Sequence, residues 1–401
     1  MDQICFITPE YPIEGDMTNT FVDSLICEFA RQGIKCVVIA PFDVVRFLRG
    51  KGKYRKKHWK KNVEGSVISI YAPRFFGALG NRFFASLSRK VYNRVVLRKF
   101  KSLNKTHRFD AVYGHFFGTG GLPAEIIGSR FSIPSFVACG ESSLNKLYRY
   151  EKKDTFVRCV EKITGVICVS TKNQEEIKNV WFDDAERWEV VQKKLRVIPN
   201  AFSPREFFTL EKKKAREIVG LPKDKFIVSF VGRFQEHKGI VELIAALNDC
   251  EDVSSVFLGT GPIKPECRNV LFAGEVNHDQ IVYFLNASDV FVLPTKAEGC
   301  SNAIVEALAC HLPVISSDLP FNYDVLKNDY NSLLVDPNSV EQIRKAILSL
   351  KNDPSKREQL SNNAGVTAAQ LTLNRRVEKI VSFMEERIGE KSEYGCNSKK
   401  N

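Results

Sequence analysis

The sequence predicts an α/β protein built from two doubly wound, parallel-sheet domains. Three observations predict this. Short runs rich in Val, Ile and Phe alternate with longer stretches of helical periodicity, the pattern of buried parallel strands covered by helices on both faces. The pattern pauses after "LRVIPNAFSPREF" (195–207) and restarts at "FIVSFVGR" (226–233). A length of 401 residues suits two domains of about 150–200 residues, each able to bury a core.

The elements follow in order. "QICFIT" (3–8) is the first strand, and "TFVDSLICEFARQG" (20–33) is an amphipathic helix stopped by Gly33. "KCVVIAPF", "SVISIYAP", "DAVYGHF", "PSFVAC" and "GVICVS" are the later strands of the first half. In the second half, "FIVSFVGR" precedes the helix "KGIVELIAALND" (238–249). "SSVFLGTG", "VLFAGEV", "DVFVLP" and "PVISSD" then alternate with further helices. The expected boundaries are an N-terminal Rossmann-like domain (1–195) and a C-terminal Rossmann-like domain (196–375). A helix (376–390) is placed to cross back to the first domain, and 391–401 reads as a disordered tail. Two such units on a Pro-containing linker are expected to face each other across a cleft. Pockets favour domain interfaces, and open parallel sheets bind ligands at the carboxyl ends of their strands.

Composition narrows the class. The chain is 44% hydrophobic and 26% charged, as expected for a globular protein. No apolar run approaches the roughly 20 residues of a membrane span. "MDQICFITPEYP" lacks the basic start of a signal peptide, so a cytoplasmic location is expected. Eleven cysteines contain no Cys-x-x-Cys pair, which favours reduced core thiols over disulfides or a metal site. The net charge of +12 is concentrated in the first half. Nine Lys or Arg and no acid occur between Arg46 and Lys61, and ten more basic residues fall between Gly65 and Phe109, again without an acid. Phe47, Trp59, Phe75, Phe76, Phe83 and Phe84 are interleaved with them. Three readings compete for the 46–108 region: an anionic-membrane patch, an ordinary solvated face and a nucleic-acid surface. The membrane reading is preferred, because no base-stacking or base-reading element is identifiable and no nucleic-acid partner is expected.

Several chemistries are excluded by their missing motifs. There is no G-x-G-x-x-G after the first strand, no P-loop, no zinc-protease helix and no G-x-S-x-G elbow; "GTGP" (259–262) is only a fragment of a phosphate loop. The second half does carry a coherent set. "VGRFQEHKG" places Gly232 and Arg233 at a strand end, with Lys238 and Gly239 soon after. Two cations beside a helix start can cradle a diphosphate, although a surface Arg and Lys flanking a turn would look the same. In "TKAEGCSNAIVEALAC", Glu298 falls at the end of the next strand and Ser301 and Asn302 at a helix start. Glu306 lies about one turn into that helix. A buried carboxylate there needs donors, and sugar hydroxyls would provide them. The plainer reading is one loop glutamate and one snorkelling glutamate.

Together these segments resemble the retaining glycosyltransferases of family 4, which have the GT-B fold. The resemblance rests on Glu298 and Glu306 in "EGCSNAIVEALACHLPVISSD", on "VIPNAFSPREF", "VGRFQEHKG" and "NASDVFVLP", and on "NDYNSLLVDP" (328–337). It implies that Arg233 and Lys238 bind the donor diphosphate and that Glu298 holds hydroxyls of the donor sugar. Glu306 would bind the nucleotide ribose, and Gly232 with the backbone near Cys300, Ser301 and Asn302 would meet sugar or phosphate. Gly15 would be the flexible member of the first loop. His115 matches a frequent family histidine, which makes it a catalytic candidate in the cleft; the plainer reading is a satisfied strand-end histidine. At the place where the family often has His-Gly, this chain has Cys139-Gly140-Glu141, so Cys139 and Glu141 become the expected donor-sugar contacts there. The resemblance further implies a hexosyltransferase with no metal or other cofactor, acting with retention of anomeric configuration. Its expected substrates are a nucleotide-sugar donor and a glycan or lipid-linked acceptor. Cell-surface polysaccharide or glycolipid synthesis, at the inner face of a membrane, is the expected setting. The alternatives are a soluble glycoside or sugar-phosphate synthase and a non-catalytic binding or scaffold protein.

Overall fold

The structure is a computed structural model that describes every residue except 13–19, 51–52, 78–84, 150 and 398–401. The chain forms two compact units, Met1–Ile198 with Val377–Asn401, and Pro199–Arg376. Gly15 lies outside the described residues.

The first unit contains β1 (Gln3–Ile7), β2 (Lys35–Ile39), β3 (Phe42–Asp43), β4 (His58–Val63), β5 (Ser66–Tyr71), β6 (Arg74–Phe75), β7 (Ala111–His115), β8 (Ser135–Cys139), β9 (Gly165–Cys168) and β10 (Leu195–Val197). Eight of them form one sheet in the order β10-β9-β8-β7-β1-β2-β5-β4, while β3 and β6 pair separately. The central strands are buried on both faces, from Ile4–Ile7 in β1 to every residue of β7 and β8. This is why they read as continuous apolar runs. The helix Thr20–Arg31 buries Val22, Leu25, Ile26 and Phe29 at helical spacing. Gly33, at φ 85°, turns the chain out of it.

The basic region departs from a simple exposed face. It contains an edge strand, β4, antiparallel to β5, that the sequence reading did not find. His58, Lys60 and Asn62 face outward, whereas Trp59, Lys61 and Val63 face in. Charge at such an edge discourages pairing with another chain. Lys61 is turned inward onto Asp23, and Arg74 stacks on Phe42 at 4.6 Å. The helix Ala85–Leu103 buries Tyr92, Val96, Phe100 and Leu103 and leaves Lys90, Arg94, Arg98 and Lys101 exposed, while Lys99 lies over the Tyr71 ring at 3.9 Å.

The second unit contains β11 (Phe226–Val231), β12 (Val253–Leu258), β13 (Val270–Gly274), β14 (Val290–Leu293), β15 (Val314–Ser317) and β16 (Ser332–Val335). They form one sheet in the order β13-β12-β11-β14-β15-β16, parallel throughout. Asp289 of the "NASDVFVLP" segment is a structural residue. It accepts from the Ile227 amide at 2.8 Å and pairs with Arg216 at 2.8 Å and Lys212 at 2.6 Å. Asn331 of "NDYNSLLV" likewise bonds the carbonyl of Val325 and the hydroxyl of Thr367.

The last helix, Leu373–Asn397, begins in the second unit, and from Val377 onward it belongs to the first. Phe383 packs edge-on against Phe136, and Arg196 pairs with Glu386 at 2.8 Å. The helix continues to Asn397, so the expectation of a disordered tail is corrected over 391–397, and 398–401 lie outside the described residues. Gly389, a weak helix former, does not end a helix already nucleated by some sixteen preceding residues. The ten cysteines whose side chains are described are unpaired, and all but Cys267 are buried.

Candidate functional site

In the second unit the chain runs from β11 outward to β13, then returns to the other side of β11 as β14. The gap between β11 and β14 is therefore the topological switch point, where open parallel sheets leave a crevice for ligands. The loops following these two strands carry the candidate residues.

The loop after β11 is shaped by glycines. The Gly232 amide donates to the Leu258 carbonyl at 2.9 Å. A Cβ on Gly259, in "GTGP", would lie 1.9 Å from the Gly232 oxygen, so the two loops touch backbone to backbone. Gly239 has φ 71°, and a Cβ there would meet the Pro294 carbonyl oxygen at 2.0 Å. The two loops are also bonded together. The Lys296 amide donates to the His237 carbonyl at 2.8 Å, and the Thr295 hydroxyl to the same oxygen at 3.1 Å.

This scaffold brings Lys238 and Glu298 into a direct, half-buried ion pair across the switch point. Arg233, on the same loop as Lys238, is exposed. Its side chain makes no ion pair or hydrogen bond among the described residues. Ser301 occupies the N-cap of the helix Asn302–Ala309, but no side chain caps the first-turn amides. The Cys300 carbonyl accepts from Asn200 at 2.8 Å, so "VIPNAF" braces this turn. The Cys300 thiol is buried, which pushes its pKa up to about 11. Its contribution is thus its backbone.

Glu306 faces His278, with Nε2 to Oε1 at 3.6 Å, and the other ring nitrogen of His278 is 3.7 Å from Glu206. Phe207 packs edge-on against the imidazole. Burial opposes a charge on His278, but the hydrogen bond and charge of Glu306, with the charge of Glu206, outweigh it. Its pKa therefore lies above the ordinary value. The sequence reading missed His278, because "NHDQ" opens a helix 28 residues before Glu306 and nothing in the spacing links them.

Through residues 211–366 the chain matches the family described as glycosyl transferases group 1. A glycosyltransferase of Bacillus subtilis named for teichuronic acid biosynthesis, TuaC, is 29% identical over 368 residues, 88% of this chain and 90% of that one. The Escherichia coli UDP-Gal:alpha-D-GlcNAc-diphosphoundecaprenol alpha-1,3-galactosyltransferase is 27% identical over 63% of this chain and 68% of that one. Among solved structures, the sucrose-phosphate synthase of Thermosynechococcus elongatus superposes with a TM-score of 0.75 at 17% identity, covering 97% of this chain and 100% of that one. Anabaena HepE in complex with UDP gives 0.70 at 15% identity, covering 96% of this chain and 100% of that one. The fold of the chain is GT-B.

In the first unit, His115 ends β7 and is buried between the rings of Phe21 and Phe116. Cys139 is corrected as a sugar contact: its side chain is packed in the hydrophobic core, because strand alternation points it beneath the sheet. Glu141 is engaged locally, accepting from the Phe117 amide at 2.6 Å and the Gly140 amide at 3.1 Å. No helix of the described residues is long and apolar enough to cross a membrane.

Proposed function

We propose that this glycosyltransferase is a retaining hexosyltransferase of family 4 type. It moves a sugar from a nucleotide-sugar donor to a glycan or lipid-linked acceptor, without a metal. The observation that carries the reading is the β11–β14 switch point, where Lys238 and Glu298 pair beside an uncommitted Arg233. A sugar diphosphate matches those groups by chemistry. Arg233 and Lys238 take the phosphate oxygens, Glu298 is freed to accept from sugar hydroxyls, and Glu306, steadied by His278, accepts from the ribose. In the transfer the bond from the anomeric carbon to the diphosphate oxygen breaks. The acceptor oxygen bonds to the same face, and its proton passes to the leaving diphosphate. The protein's main contribution is then to neutralise charge on that leaving group.

The setting we propose is cell-surface polysaccharide or glycolipid synthesis on the cytoplasmic face of a membrane, the field for which TuaC is named. The support in this chain is the first unit's surface. Leu48, Tyr54, Phe76 and Leu87 are 75%, 60%, 68% and 57% exposed, in a region where Lys53, Lys56, Lys57 and Lys60 also face outward.

The test is a panel of UDP-, GDP- and ADP-sugars. One of them should raise the thermal midpoint, since a ligand at 100 times its Kd adds about 2.7 kcal/mol of stability. It should also be turned over with unchanged rate in EDTA and give a product of retained configuration. A protein that neither binds nor hydrolyses any of them ends the reading. A non-catalytic binding role is the second reading. It is favoured by Cys139 and Glu141, neither of which offers a free group where the family often carries His-Gly. Binding without any turnover would select it. A product found in the aqueous phase alone would select a soluble glycoside or sugar-phosphate synthase.

A further inference from the structure

The first unit has its own switch point. From β1 the chain proceeds to β2 and β5 on one side, then re-enters as β7 on the other. The loops following β1, β7 and β8 are therefore neighbours at the ligand-binding edge of the sheet. They carry Glu10, the Phe116–Phe117 turn and Glu141.

Glu141 is occupied by backbone amides, as described above. Its bonds hold a turn in which Phe116 sits at φ 62° and ψ 143°, a conformation that a side-chain-bearing residue rarely adopts. Such strain persists where the surroundings over-determine it, and it gathers at ligand sites. Gly114 and Gly120 allow the turn to close, since a Cβ on Gly114 would lie 2.3 Å from the Gly120 carbonyl.

Glu10 is held just as firmly but left unused. Arg55, from the basic run, donates to the carbonyls of Pro9 at 3.1 Å, Tyr11 at 2.6 Å and Ala40 at 3.1 Å. The Glu10 amide donates to the Thr8 hydroxyl at 3.2 Å. The backbone on both sides of Glu10 is thus clamped, yet its Oε2 is shut off from solvent with no hydrogen-bond partner among the described residues. Burial pushes its pKa up to about 7, with the charge of Glu141 adding and that of Arg46 opposing. A buried carboxyl oxygen without a partner is a net cost to folding, and nothing within the fold recovers it.

We propose that Glu10 is an acceptor-binding carboxyl, whose free oxygen receives a hydroxyl of the acceptor sugar at the switch point of the first unit. The inference rests on the transferase reading. A carboxyl that titrates near neutrality both donates and accepts, as a sugar hydroxyl does. An ammonium group or a metal ion would instead call for both carboxylates charged and free, and Glu141 is already bonded to two amides. Glu10 is a binding group here; the acceptor proton still leaves with the diphosphate.

The test uses the full chain, its turned-over donor from the sugar-nucleotide panel, and membranes of the producing cells as acceptor. At pH 8, where the Glu10 carboxyl is predominantly ionised, Glu10→Ala and the near-isosteric Glu10→Gln should each raise the acceptor KM by about 10–100-fold, the worth of a hydrogen bond to a charged group. The donor KM should stay within about twofold. At pH 8, Glu10→Gln should hold or raise the thermal midpoint, by up to about 5 °C. Glu10 with its raised pKa is neutral in folded and unfolded chains below about 4.5. Its contribution to stability is lost as pH rises through about 7. The advantage of Glu10→Gln should therefore vanish near pH 5, with Glu141, Arg46, Arg55 and Tyr92 unchanged around it. An unaltered acceptor KM in both variants overturns the proposal, as does a Glu10→Gln variant less stable than wild type at pH 8. Wild-type protein inert toward every donor would overturn the transferase reading itself.

Discussion

Lys238 and Glu298, 60 residues apart in the chain, form an ion pair that spans the switch point of the second sheet. Each group keeps the other's charge compensated in a half-buried position. Lys238→Ala leaves Glu298 unpaired and, on the function proposed above, removes a cation that takes the donor diphosphate. It should lower kcat/KM for the donor by about 10²–10³-fold, the usual loss for one charge-stabilising donor. Lys238→Arg should recover part of that, and steady-state kinetics with the selected donor will measure both.

Glu306→Ala should raise the Kd for the free nucleoside diphosphate by about 10–100-fold, as loss of hydrogen bonds to a charged group does. The fold should survive, because His278 retains Glu206 at 3.7 Å. Calorimetric titration with intact far-UV dichroism is the check, and unchanged affinity would remove the ribose role.

The same pair makes stability depend on pH. A histidine whose folded pKa is raised contributes stability that is fully present below its unfolded value of 6.5 and lost as pH rises through the folded value. The thermal midpoint of His278→Gln should accordingly fall furthest below wild type at pH 6, and the gap should narrow by pH 9. A gap independent of pH would show that His278 acts through packing on Phe207 alone.

Gly239→Ala is expected to be a folding lesion. The new Cβ combines a left-handed backbone with a 2.0 Å approach to the Pro294 oxygen. Together these should cost about 2–4 kcal/mol, or roughly 5–15 °C in a domain of this size. Differential scanning calorimetry reads this directly.

The membrane proposal has its own check. Changing Lys53, Lys56, Lys57 and Lys60 to Gln should weaken binding to phosphatidylglycerol vesicles by up to about 1 kcal/mol per residue. Donor turnover in solution should be unaltered. Wild-type protein that ignores such vesicles at low salt would end the idea.

Much of the architecture was legible in the sequence because it depends on local pattern. β1, β7 and β11 are buried on both faces and announce themselves as apolar runs. β4 was missed because an edge strand in a lysine-rich segment has no hydrophobic signature. Glu298 and Glu306 were found through spacing along one loop and helix, which secondary structure alone converts into proximity. His278 and Glu10 were missed because their significance comes from loops that only the sheet order makes neighbours. Glu10, two residues beyond Thr8 at the end of the first strand, could have been found by asking what every strand-end carboxylate bonds to.

The sequence by itself determined the two α/β units, the loops that carry the chemistry and the cationic character of the first unit. Hydrophobic periodicity and glycine placement are properties of neighbouring residues. The tertiary structure decided which charges are available. Lys61 is bound to Asp23, Arg55 clamps the backbone around Glu10, and Cys139 is sealed in the core, whereas Arg233 and one oxygen of Glu10 have no partner among the described residues. Partnering depends on which strands and helices the fold sets side by side, and that order is written in no single stretch of the chain.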